Sequence, residues 1–110
     1  MKACNFVALA FAFAGLTGLA HANEPDSERQ QELRHLLKHD CGSCHGMRLT
    51  GGLGPALTPD AIHEKPDVML RETILHGRRG TPMPPFANLL SHEEVDWLIG
   101  DLRKGSGYEQ

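Results

Sequence analysis

The sequence predicts a small all-α domain of three to four helices. Apolar residues recur at the three-to-four-residue spacing of a helix face in three separate segments, and no segment alternates apolar and polar residues as strands do. Loops rich in Gly and Pro separate these segments. A chain of 110 residues has room for one such domain.

Residues 1–22 indicate a signal peptide rather than part of this domain. A positively charged start precedes an apolar run that ends in Ala20-His21-Ala22, the small-residue pattern of a cleavage site. An uncleaved anchor is the alternative, but the run is short for a bilayer span and is interrupted by glycines. We expect cleavage after Ala22 to leave residues 23–110 as one domain in the periplasm, with no membrane segment.

The first predicted helix begins at a capping box of Ser27 and Gln30 and continues at helical spacing to Cys41. Residues 46–60 are predicted to form a loop, because their Gly-Gly-Leu-Gly-Pro run cannot form a stable helix interior. A short helical turn is predicted over residues 59–64.

The second long helix is predicted to begin with Pro66 in its first turn and to end at Gly77. A loop over residues 78–90 follows. Ser91 and Glu94 then form a second capping box, which opens a last helix that ends at Gly105.

The domain has too few large apolar side chains for a comfortable core. Its aromatic residues are Phe86, Trp97 and Tyr108. A metal, disulfides or a bound cofactor is therefore expected to fill the interior. Loss of Lys2 with the signal peptide makes the formal charge of −3 more negative, which argues against a nucleic-acid partner.

Cys41-Gly42-Ser43-Cys44-His45 is a C-x-x-C-H motif, the attachment site of a c-type haem. Two thiols one helical turn apart can add to the two vinyl groups of the porphyrin, and His45 can then bind the iron. A thioredoxin-like redox pair, a structural zinc site and a simple disulfide are the alternatives. No βαβ pattern supports a thioredoxin-like pair, and a zinc site lacks its full set of ligands. A simple disulfide would leave His45 without a role.

The iron needs a second axial ligand, unless its sixth coordination position stays open. Met47 is too close to His45 in the chain, and Met69 lies in a predicted helix where core filling is expected. Met83 lies in a proline-stiffened loop before the last helix, from which it can reach the other face of the haem. A thioether ligand there favours ferrous iron. The alternative is Met83 as loop packing, with an open or His-ligated iron.

Taken together, CGSCH, GLGPAL, TPMPPF and LSHEEVDWL resemble the class I cytochromes c over residues 27–104. The resemblance implies that fold around one covalent haem c, with the Pro55 carbonyl on the second ring nitrogen of His45 and with Met83 as the iron's methionine ligand. Two positions depart from the family: Leu33 replaces a glycine, and Asp101 replaces an aromatic residue. We expect the terminal helices to cross differently, with Gly100 admitting a bulky residue.

The expected function is one-electron transfer by a monomeric carrier that is not an enzyme. CGSCHGMRLTGGLGPALTP and ILHGRRGTPMPPF resemble the small monohaem cytochromes encoded beside the haem c/haem d nitrite reductase of denitrifiers. That resemblance implies nitrite reductase as partner, either as electron acceptor or during its maturation, with an upstream quinol-linked donor. Arg48, Arg78 and Arg79 are candidates to pair a haem propionate or to steer an acidic partner, or are plain solvated charges. The alternative function is a haem-based ligand sensor or small peroxidase with a displaceable Met83.

Overall fold

A computed structural model describes residues 24–106, and within them the structure is helical and contains no strand. The predicted signal peptide and Tyr108 lie outside these residues. The helices are α1 (Ser27–Leu36), α2 (Gly42–His45), α3 (Pro59–Ile62), α4 (Asp67–His76) and α5 (His92–Arg103). The all-α prediction is confirmed. None of the helices described is long and apolar enough to cross a membrane.

The start of α1 differs from the predicted capping box. The Asp26 side chain accepts a hydrogen bond from the Arg29 backbone N–H at 2.8 Å, so Asp26 and not Ser27 caps the helix. Gln30 instead donates its side-chain N–H to the Pro25 carbonyl at 2.8 Å. A carboxylate is the stronger partner at the positive end of a helix, which explains why the residue one position earlier takes the cap.

Between α1 and α2 the chain continues as a π-helical segment, Leu37–Cys41. The wider turn of a π segment rotates the following residues relative to an unbroken α-helix, and such segments are frequent at functional sites. Leu37 is buried on its inner side, Lys38 is partly buried, and His39 and Asp40 are exposed. Hydrophobic periodicity alone did not predict this segment, because the apolar spacing continues through it.

Residues close in sequence determine where α4 and α5 begin and end. Pro66 is the N-cap of α4 rather than a member of its first turn, and Gly77 ends the helix with a φ of 69°. The capping box of α5 is confirmed: Ser91 Oγ accepts from the Glu94 N–H at 3.2 Å, and the Ser91 N–H donates to the Glu94 carboxylate at 2.9 Å. The helix ends at Arg103, shortly before the predicted Gly105.

One apolar core joins the three longer helices, and it is built mainly from leucine. Its buried members are Leu33, Leu37, Leu49, Ile62, Leu75, Phe86, Leu90, Val95, Leu98, Ile99 and Leu102. Each such side chain stabilises the fold by about 1.5–3 kcal/mol through burial. Phe86 is the one aromatic residue among them, in agreement with the small core that composition predicts.

An ion pair between α1 and α5 occupies the crossing of the terminal helices. Arg34 donates to both carboxylate oxygens of Asp101 at 3.1 and 3.3 Å, and its guanidinium lies 5.1 Å from the centre of the Trp97 ring. Asp101 is only 4% exposed. Leu33 is fully buried beside this pair, but a Cβ added at Gly100 would meet no atom within 4 Å. The expectation that Gly100 admits a bulky neighbour is therefore wrong, and the Arg34–Asp101 pair joins the two helices at this point.

A second ion pair joins the same two helices at the start of α5. Arg29 donates to the Glu94 carboxylate at 2.6 Å, and this hydrogen bond lowers the pKa of Glu94 below its ordinary value. Glu94 therefore serves both the capping box and the contact with α1. At the other end of α5, Arg103 donates to Asp67 at 2.6 Å and to the Ile62 and Lys65 carbonyls, which holds the α3–α4 turn in place.

We expect Arg34→Ala to destabilise the protein by about 2 kcal/mol, because it leaves the buried Asp101 carboxylate without its donor. The matched control is Arg71→Ala, which removes a more exposed pair with Asp96 and should cost clearly less. Urea denaturation of the haem-loaded protein measures both. Equal losses in the two variants would show that the Asp101 carboxylate does not depend on Arg34.

Candidate functional site

The two motif cysteines lie one turn apart where the π-helical segment joins α2. Cys41 is the last residue of that segment and Cys44 lies within α2, and both are half-buried free thiols that form no disulfide. Burial, and after it the neighbouring Asp40 carboxylate, raises the pKa of the Cys41 thiol to about 11. Burial thus favours the neutral thiol of Cys41 over its thiolate.

His45 closes α2, and its ring is held by the following loop. Its Nδ1 lies 2.7 Å from the Pro55 carbonyl oxygen. Because a carbonyl oxygen can only accept, Nδ1 carries the proton and donates, which leaves the Nε2 lone pair free for a metal ion. The contact thus selects the tautomer that a metal-binding imidazole requires.

Backbone hydrogen bonds bring Pro55 to that position. The Gly51 N–H donates to the His45 carbonyl and the Gly54 N–H to the Cys44 carbonyl, each at 2.8 Å. A Cβ on Gly54 would lie 2.8 Å from the His45 ring, so only glycine lets the loop approach so closely. The loop therefore lies where the family resemblance predicts it, with Gly54 packed directly against the imidazole.

Leu49 anchors the same loop to the core, and sequence analysis did not single it out. Its side chain is 1% exposed although its φ of 56° is in the left-handed region, which a leucine adopts at a cost of about 1–3 kcal/mol. The Leu49 N–H donates to the Gly46 carbonyl, and the Leu57 N–H donates to the Leu49 carbonyl. Sequence offered no clear signal for it, because Met47 and Leu53 lie in the same stretch and are exposed.

The loop that carries Met83 is folded back onto the end of α4. The Arg78 N–H donates to the Met83 carbonyl at 3.2 Å, and Thr81 Oγ1 donates to the Arg78 carbonyl at 2.7 Å. Downstream, the Phe86 N–H donates to the Ile74 carbonyl at 3.1 Å. A Cβ on Gly77 would lie 2.6 Å from the Met83 carbonyl oxygen, so this fold also requires glycine at its base.

Met83 differs from the other methionines of the described chain by its burial. It is partly buried and packs against the apolar core, whereas Met47 is 54% exposed and Met69 is 45% exposed. The expected core role of Met69 is therefore wrong: its place on α4 faces solvent. Arg48, Arg78 and Arg79 are exposed and form no ion pair among residues 24–106.

These residues together fit a covalently bound haem. Two free thiols stand next to an imidazole with an available Nε2, and Cys41 and Met83 both border the same apolar core. Five further apolar side chains on that border stay only partly buried, and they include Leu57, Leu70 and Ile74. Such a border can be covered by a large flat apolar group. No group of three or more His, Cys, Asp or Glu residues in the described chain could hold a bare metal ion.

Comparisons with known proteins find relatives over most of the chain. The family model described as cytochrome C oxidase, cbb3-type, subunit III matches residues 28–100. "Cytochrome c55X" of Pseudomonas aeruginosa strain PAO1 is 57% identical over 101 residues, which cover 91% of this chain and 84% of that protein. "Dihydro-heme d1 dehydrogenase" of the same strain is 37% identical over 87 residues, 79% of this chain but 16% of that protein.

The solved structure of a "c-type cytochrome NirC" superposes on this chain with a TM-score of 0.74 at 58% sequence identity. The superposition covers 76% of this chain and 99% of that one. The helices and loops described above are therefore shared with nearly the whole of that molecule.

We expect Gly54→Ala to impair covalent haem incorporation, because the added methyl group would push the His45 ring away from the Pro55 carbonyl. The yield of haem-loaded protein and its absorption spectrum measure the effect. Gly100→Ala is the matched control: its Cβ meets open space within α5, so haem loading should be unchanged and the helix slightly more stable. Normal loading of Gly54→Ala would show that the close approach of this loop is dispensable.

Proposed function

The chain belongs to the c-type cytochrome family, because the family model matches residues 28–100 and a cytochrome c55X is 57% identical to it, and we propose that it carries single electrons in the periplasm. Membership of the family confirms the cytochrome c fold and implies one covalently bound haem c. The observation that carries the proposal is the 2.7 Å contact between His45 Nδ1 and the Pro55 carbonyl, which prepares Nε2 as a permanent ligand.

In this proposal Cys41 and Cys44 attach the haem, and His45 and Met83 are the two axial ligands of its iron. The bound haem supplies the one-electron change between ferric and ferrous iron. The chain contributes the orientation of His45, through Pro55, and a thioether at Met83 that favours the ferrous state. Prolines on both sides of Met83 lower the entropy lost when its loop is ordered.

The composition of the Met83 loop fits an electron carrier better than it fits an enzyme. Residues 77–90 contain two arginines but no His, Asp or Glu that could serve as a general acid or base above the iron. A small peroxidase needs such a group, and a haem-based sensor needs Met83 to leave the iron. The Arg78 N–H instead closes the loop on the Met83 carbonyl, and the Phe86 N–H attaches its far side to the Ile74 carbonyl of α4.

The absorption spectrum of the haem-loaded protein tests the ligand assignment. We expect a low-spin spectrum with the weak sulfur–iron band when oxidised, and no change with carbon monoxide when reduced, because both axial positions are filled. Met83→Ala should abolish the band and open the iron to carbon monoxide. Met69→Ala is the matched control, since that exposed methionine should affect neither. Carbon monoxide binding by the unmodified protein would favour the sensor or peroxidase alternative.

We further propose that the electron partner is part of the nitrite reductase system. Similarity to the solved NirC cytochrome supports this assignment. Similarity to a segment of dihydro-heme d1 dehydrogenase supports a role as electron acceptor when a haem d precursor is oxidised. Removing two hydrogens from that precursor releases two electrons, so a monohaem carrier would accept them one at a time. The candidate partners are therefore the reductase itself, as acceptor, and such a dehydrogenase, as donor.

Rapid mixing distinguishes these partners. We expect the reduced protein to pass electrons to oxidised nitrite reductase, or the oxidised protein to take them from the dehydrogenase during turnover, at a rate that falls with salt. Arg78→Glu with Arg79→Glu should slow the exchange if these exposed charges steer an acidic partner. Lys65→Glu, an exposed charge on the α3–α4 turn, is the control. No exchange with either partner would contradict this part of the proposal and leave the carrier assignment standing.

A further inference from the structure

Two histidines on the outer face of the first helix lie side by side. The ring centroids of His35 and His39 are 4.2 Å apart, with 39° between the ring planes, and both residues are exposed. Within residues 24–106 neither imidazole takes part in a hydrogen bond or an ion pair with another group. In contrast, His45, His63 and His76 each have such a partner.

The π-helical segment explains why the rings are so close. His35 lies in α1 and His39 in the segment Leu37–Cys41. Residues four apart on an α-helix are neighbours but are rotated from one another around the axis. Because a π turn contains more residues, a residue four positions further on lies more nearly above its partner. The two imidazoles therefore lie in contact, with their rings tilted by 39°.

We propose that His35 and His39 form a surface binding site for one divalent transition-metal ion, separate from the haem. Imidazole nitrogens bind such ions at about 2.0–2.1 Å, so one ion can hold two nitrogens up to about 4 Å apart. The ring centroids lie 4.2 Å apart, so rotation of the two exposed side chains about their χ angles can turn one nitrogen of each ring toward a shared ion. Neutral imidazoles suit Cu²⁺, Ni²⁺ and Zn²⁺, and Cu²⁺ binds most tightly in that series.

The surroundings of the pair are compatible with an added cation. Gln31, one turn before His35, lines the same surface groove and offers a side-chain amide oxygen as a further ligand. Arg34 also lines the groove, but its guanidinium is engaged by Asp101 and lies over Trp97. Lys38 is the remaining positive charge in the groove, and it weakens cation binding by repulsion. Water would complete the coordination.

Calorimetric titration of the haem-loaded protein with CuCl₂ tests the site. We expect one Cu²⁺ per chain, and copper electron paramagnetic resonance should show coupling to nitrogen. His35→Ala and His39→Ala should each weaken binding by at least about tenfold, because each removes a ligand. Lys38→Ala should tighten binding. His63→Ala, an exposed histidine outside the groove, is the matched control and should change nothing.

The outcome does not depend on the electron-transfer role, because the haem spectrum reports separately on folding and on the axial ligands. Both histidines are exposed, so their alanine variants should keep that spectrum, and His39→Gln serves as a second variant if one fails to load haem. Unchanged copper affinity in His35→Ala and His39→Ala would overturn the proposal, as would an equal loss in His63→Ala.

Discussion

The site depends on the hydrogen bond from His45 to the Pro55 carbonyl. The 2.7 Å contact fixes which ring nitrogen carries the proton, and so which one is free for iron. It requires the 46–58 loop to fold back on α2, which the hydrogen bonds from Gly51 and Gly54 accomplish and the missing Cβ of Gly54 permits. Leu49 anchors this loop in the core in a strained backbone conformation, so part of the folding free energy is used to orient one imidazole.

The loop around Met83, at the end of α4, is also held by close backbone contacts. A glycine at its base allows close backbone contact, the Arg78 N–H closes the loop on the Met83 carbonyl, and the Phe86 N–H binds the Ile74 carbonyl of α4. Its methionine is partly buried against the core that Cys41 also borders. Two loops held by backbone contacts therefore bring their chemical groups to one apolar region, with little need for side-chain hydrogen bonds.

The crossing of α1 and α5 shows how a charge pair can take the place of an aromatic contact. Asp101 is almost fully buried, and Arg34 satisfies both of its oxygens while lying over Trp97. Desolvation offsets much of the attraction in such a pair, so its clearest effect is on geometry: it sets how α1 meets α5. Arg29 and Glu94 make a second fixed contact at the start of α5.

The sequence by itself determined the helical class, the capping box at Ser91 and the haem motif at Cys41–His45, because each depends on residues close together in the chain. Only the tertiary structure decided the cap at Asp26, the π turn before Cys41, the exposure of Met69 and the open space at Gly100. Each of these depends on competition between neighbours or on packing between distant helices. Local spacing shows that a side chain is apolar or charged, but only the packed fold decides what it touches.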